Sequence, residues 1–285
     1  MSTLIDPAYP AIAEYYLPHV AATRARLEVD TRVAALLTED NGSTQMLGFL
    51  IEFCALGIRM LRPVEGWLRA SGEGCVAAGY EDLGRELIAA STDEAQRHLL
   101  LIDDLVQLLD IWRGGVAPWR KGTSLSGGPP RRRTDDKSDA LALDMPALVR
   151  RDCPESAVRH ALIREAASDP SQPYLALGVE LELGHLARTL GPRLFRACEA
   201  QLGMQVFEGM QYLHSRIDRG ALHNDRWMLQ LEALLRACPE LGPAVAVVGC
   251  EATSAMLDFF AECIERGRRI GQHSVYYDAV LQTSR

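Results

Sequence analysis

Apolar residues recur at three- and four-residue intervals along nearly the whole chain, a period that suits helices and not strands. Stretches in which apolar and polar residues alternate between turn residues are hard to find. The periodicity predicts helices over about 7–28, 31–39 and 44–61, with Pro63 kinking or restarting the chain, and then one long helix over about 78–112. Further helices are predicted over about 146–167, from Tyr174 to Gly191-Pro192, and over 193–201. A long one follows Gly203, with Gly220 as a candidate break, and the last runs over about 243–268. The fold class expected is all-α. From Arg113 to Pro146 the sequence turns to RGGVAPWRKGTSLSGGPPRRRTDDKSDALALDMP, rich in Gly, Pro, Ser and charge. That composition predicts a long mobile insertion, a lid or a plain surface loop, within a single helical domain spanning 1–285.

The formal net charge of -8 leaves no basic face for a nucleic-acid backbone or an anionic membrane surface. Seven cysteines, at 54, 75, 153, 198, 238, 250 and 263, form no CxxC pair and no cluster, which argues against a disulfide framework and against structural zinc. The first twenty residues lack a basic segment followed by an apolar core, and no uninterrupted apolar run reaches membrane-spanning length. A soluble protein of the reducing cytoplasm is expected, with a small molecule as partner and neither nucleic acid nor membrane; a homodimer is left open.

The chemistry-bearing signal is the placement of carboxylates and histidines on apolar helix faces, because a buried charge is costly unless paired or bound to a metal. Glu52 is the only charged residue in MLGFLIEFCALGI. Glu94 and His98 stand four apart, one helical turn, just before an apolar run. In VELELGHLA, Glu180 and Glu182 point to roughly opposite faces, so one of them is expected inside, while Gly178, Gly184 and Ala187 suggest a close helix contact. His214 and Asp218 form another i, i+4 pair, with Asp225 two turns further on the same face. Singly, each has an ordinary reading, a buried Glu held by an Arg or a surface pair. Together, four helices each offering a carboxylate, two with a histidine one turn away, match the way helical bundles build a two-metal carboxylate site. Oxygen donors with imidazole suit iron or manganese. Asp103-Asp104 is similar to the aspartate pair of prenyl-transferring helical enzymes, but no second acidic motif accompanies it. No GxGxxG, GxxxxGK[ST] or GxSxG motif is present.

On these residues the chain, over about 44–265, resembles the heme-oxygenase-like non-heme iron oxidases and oxygenases, often diiron, which are seven-helix bundles. The resemblance implies a heme-oxygenase-like bundle holding one or two iron ions, with molecular oxygen as co-substrate. It assigns Glu52, Glu94, His98, Glu182 or Glu180, His214 and Asp218 as metal ligands. The family's H-x-x-x-D-x-x-H stretch departs here: Ala221 stands where its last histidine belongs, and His223 lies two residues later. His223 or Asp225 could substitute only through a local distortion of the helix. Some members use E-x-x-H, and here that position is Arg97, which either meets a substrate carboxylate or forms an ordinary ion pair.

The function expected is oxygen-dependent oxidation or oxygenation of a small amino-acid-like or fatty-acid-like molecule in specialised metabolism. No catalytic residue is assigned beyond the metal ligands. Two alternatives accompany it. One is a metal-free enzyme of the same fold, a cofactor-independent oxidase or thiaminase-type hydrolase in which His98 or His214 moves protons. The other is a non-catalytic bundle that binds a ligand or a partner protein.

Overall fold

The computed structural model describes residues 8–37, 43–113, 152–204, 206 and 209–272, and of residues 32, 43, 113, 216–223 and 270–272 it describes the backbone only. Among the described residues the chain is all-α, with no strand. The helices are α1 (Pro10–Tyr15), α2 (Leu17–Val29), α3 (Thr31–Leu36), α4 (Ser43–Leu61), α5 (Val64–Ala77) and α6 (Glu81–Glu94). They continue as α7 (Arg97–Arg113), α8 (Glu155–Ala167), α9 (Ala176–Leu202), α10 (Gln211–Ala237) and α11 (Gly242–Gln272). Short 3₁₀ turns at Pro173–Leu175 and Pro239–Leu241 lead into α9 and α11. Apart from its first residue, the insertion predicted over 113–146 lies outside the described residues.

Several boundaries differ from the sequence expectation, beginning with the helix predicted over 7–28, which is two helices, α1 and α2, meeting at Tyr16. The helix predicted over 78–112 is two helices, α6 and α7. At the end of α6, Ser91 and Thr92 donate their hydroxyls to the Ile88 carbonyl and the Ala95 N–H turns back to Thr92. Side chains that bond the preceding turn compete with the helical ladder, and the chain bends there. Gly191-Pro192, expected to stop a helix, lies inside the 27-residue α9. Pro192 removes one ladder donor, but Leu186, Leu190, Ala197, Cys198 and Leu202 continue one buried stripe across it. Burial of that stripe outweighs the lost bond. Gly220 likewise leaves α10 unbroken.

The 31-residue α11 packs against α2, α4, α8 and α9. The segment Pro239–Arg269, which takes in most of α11, is long and apolar enough by composition to cross a membrane, and 44% of its most apolar window is buried inside the fold. Glycines set its closest approaches. A Cβ on Gly48 of α4 would collide with the backbone carbonyl of Gly267, and one on Gly178 of α9 with that of Val245. Gly178 therefore makes the close contact expected of its segment, whereas Gly184 abuts Asn224.

Two helices begin on carboxylates from far along the chain. Glu232 of α10 accepts from the N–H groups of Ala11 and Ile12 at 3.2 and 3.0 Å, at the start of α1. Asp104 of α7 accepts from those of Gln211 and Tyr212 at 2.8 and 3.0 Å, at the start of α10. Both place negative charge where a helix presents unsatisfied donors. The aspartate pair noted in the sequence thus supplies a helix start through Asp104, while Asp103 is exposed.

Candidate functional site

Of the carboxylates singled out in the sequence, Glu52, Glu94 and Glu182 are buried and Glu180 is nearly so, and three of these four meet arginines. Glu182, 1% exposed, accepts from Tyr16 Oη at 2.8 Å and from Arg24 Nε and Nη2 at 3.0 and 2.6 Å. Gly249 makes room for it: a Cβ there would stand 2.7 Å from Glu182 Cγ. Of the two glutamates of VELELGHLA, Glu182 is the interior one. Burial first, and then the Glu182 charge, push the Tyr16 hydroxyl well above its usual value. Next to this group, His185 is lowered to about 4 by burial and then by the positive charge of Arg24, with Arg188 adding a little. The imidazole is therefore neutral at physiological pH.

Glu180 is the partner of Arg164 on α8, Oε1 to Nη1 at 2.7 Å. Arg164 also donates Nε to His160 Nε2 at 3.0 Å, one turn back on the same helix. An acceptor Nε2 means that the ring proton of His160 sits on Nδ1. Glu94 and Arg97 form a buried ion pair across the α6–α7 bend. The bend also corrects the expected geometry: Glu94 ends α6 and His98 stands in the first turn of α7, so they do not share one turn of a single helix.

Glu52, 1% exposed, lies on α4, and its charge adds to the burial that holds the Cys263 thiol of α11 well above its usual range. His214 is half-buried, its ring set edge-on to Phe195 with centroids 5.5 Å apart. The side chains of Asp218, Ala221 and His223 lie outside the described residues. Asp225 is exposed.

The iron centre implied by the resemblance can be tested on these contacts. Among the described residues, no three His, Cys, Asp or Glu side chains come together as a metal site. Glu182 is bound through both oxygens to a guanidinium, and Glu180 and Glu94 are each bonded to one. The donor set among the described residues does not fit an iron centre, because a cation would have to displace an arginine from each of three carboxylates.

What the chain does assemble is a cavity of about 120 Å³ bordered by α3, α4, α5, α7, α8, α9, α10 and α11. Its wall is overwhelmingly apolar, with Phe53, Leu101, Leu186, Leu190, Phe195 and Phe259 among its faces. Among the described residues the only ionisable side chains on it besides Tyr212 are His160 and Arg164. The sequence reading missed both. Their i, i+4 spacing, extended by Ser156 and flanked by the buried Ala157, Ile163 and Ala167, was the available signal.

No protein-family model, no characterised protein and no solved structure matches this chain.

Proposed function

We propose that this chain is a small-molecule-binding helical protein whose cavity receives an apolar molecule about the size of one aromatic ring. The observation that supports this reading is the cavity itself, about 120 Å³ with an apolar wall and one polar end formed by His160 and Arg164. An apolar void of that order, roughly 150 Å³ in a well-studied case, stays dry and takes up benzene. A few polar groups in an otherwise apolar pocket are what orients a ligand. Titration of the full chain with ethylbenzene, followed by calorimetry and thermal unfolding, tests the reading. Binding with a raised melting temperature is expected. Replacing the cavity-lining Ala187 by Phe should abolish it while leaving the helical content unchanged. If neither heat nor stabilisation appeared, the reading would fall.

Iron-dependent oxidation of such a ligand is a second reading, favoured by Glu52, a carboxylate 1% exposed on α4, the helix that also carries Phe49 and Phe53 of the cavity wall. It requires a metal to compete with the arginines for Glu94, Glu180 and Glu182. Anaerobic titration with Fe(II) decides it: about two ions bound per chain supports it, and no bound iron overturns it.

A further inference from the structure

We infer that the polar end of the cavity selects a neutral hydrogen-bond acceptor, a carbonyl or ether oxygen, over a carboxylate. The inference rests on the ligand-binding reading above. Arg164, 6% exposed, uses Nε for His160 and Nη1 for Glu180, and its Nη2 makes no hydrogen bond among the described residues. A guanidinium on the cavity wall thus has a nitrogen left to donate to an occupant.

The charge balance decides which occupant. Glu180, with 11% of its side chain exposed, already neutralises Arg164 at 2.7 Å, and His160, accepting at Nε2, carries no charge. Among the described residues no other charged side chain lines the cavity. A ligand carboxylate would set two anions against one cation in a space walled by Phe and Leu, where the second anion loses its hydration without a counter-ion. A ketone oxygen takes the same donor and leaves the balance at zero. Donation from a charged group to a neutral acceptor is a favourable bond in such surroundings. An arginine at the end of a pocket is ordinarily read as a carboxylate anchor; here the pairing with Glu180 reverses that expectation.

Three probes of similar size and one ring separate the readings: ethylbenzene, acetophenone and benzoate, each titrated calorimetrically into the full chain at neutral pH. Acetophenone is expected to bind several-fold more tightly than ethylbenzene, and benzoate at least about tenfold more weakly than acetophenone. In Glu180→Gln, Arg164 loses its counter-ion, and benzoate should gain about tenfold while acetophenone changes little. In the double variant Arg164→Met, Glu180→Met the pair is removed together, so no lone charge stays buried, and the preference for acetophenone over ethylbenzene should vanish. Ethylbenzene binding to each variant reports that the cavity has folded. Benzoate binding the unmodified chain as tightly as acetophenone would overturn the inference, as would equal binding of acetophenone and ethylbenzene. Failure of all three probes to bind would instead overturn the ligand-binding reading on which it rests.

Discussion

Arg24 and Glu182, 158 residues apart in sequence, are joined by two hydrogen bonds, 3.0 Å from Nε and 2.6 Å from Nη2, that fasten α2 to the second turn of α9. Glu182 is almost wholly buried and Arg24 keeps 23% of its side chain exposed, so the pair is shielded from water chiefly on the carboxylate side. Arg24→Met would leave the carboxylate with Tyr16 alone. Loss of about 3 kcal/mol is expected, at the low end for breaking a buried pair because Arg24 is partly solvated. Adding Glu182→Leu to that variant should restore most of it. Urea unfolding of the three proteins measures both steps; an unshifted midpoint in Arg24→Met would show that Glu182 is satisfied by other means.

Asp104 makes a different use of a buried carboxylate, and its effect depends on pH. Burial raises its carboxyl from the ordinary 3.8 to about 6, against the lowering effect of the two N–H donors of α10. Between those values the folded chain keeps a proton that the unfolded chain has released. This group's contribution to stability therefore declines as pH rises from about 4 to about 6 and is level above that. Asp104→Asn removes the titration. Over that interval the unmodified protein should lose stability relative to the Asn variant, and parallel stability curves from pH 4 to 7 would disprove it.

Phe53 offers a test of the cavity wall by subtraction. Its ring stands 5.8 to 6.2 Å from those of Phe49, Tyr212, Phe259 and Phe260. Phe53→Ala should cost about 3–5 kcal/mol, the usual range for emptying an aromatic core position. Saturating ethylbenzene should return part of that loss by mass action. The ligand-induced rise in melting temperature should be larger in the variant than in the parent, and an equal rise would place the probe elsewhere.

Two helical glycines should respond to alanine in opposite senses. Gly66 of α5 is exposed with open space where a Cβ would go, so Gly66→Ala should stabilise by about 0.5–1 kcal/mol through the helix preference alone. Gly48→Ala meets the backbone of Gly267 and must push α4 and α11 apart, a loss of several-fold greater size and opposite sign. Denaturation of the two variants side by side decides; a neutral Gly48→Ala would mean that the α4–α11 contact yields easily.

The all-α fold class was legible because burial imposes its period directly on the sequence. The helix ends were less so, since Pro192 and Gly220 carry strong local signals that burial of the surrounding stripe overrides, whereas the bend after Ser91 and Thr92 came from hydroxyls no apolar pattern records. At the candidate site the sequence pointed to Glu52, Glu94 and Glu182, which are buried, and to Asp225, which is exposed, but could not name what compensates the buried ones. Charge demands a partner, and helix periodicity does not say which. Arg24 lies on α2, Arg164 on α8, and neither is near Glu182 or Glu180 on an apolar face of the same helix. Only Glu94 has its arginine close at hand, Arg97, for which an ordinary ion pair was one of the two expectations. The cavity was illegible for a simpler reason: a void is bounded by many helices, and no single one of them carries its outline.

The support that Glu232 gives to α1 bears on the order in which the molecule assembles. A six-residue helix has too few internal bonds to hold itself in water. The acceptor for its first donors lies 221 and 220 residues downstream. The α1 segment is therefore made well before its acceptor and cannot be held in place until α10 has been made and folded. Its docking is a closing event, and loop closure over so long a span makes that event slow relative to the pairing of neighbouring helices such as α5 and α6.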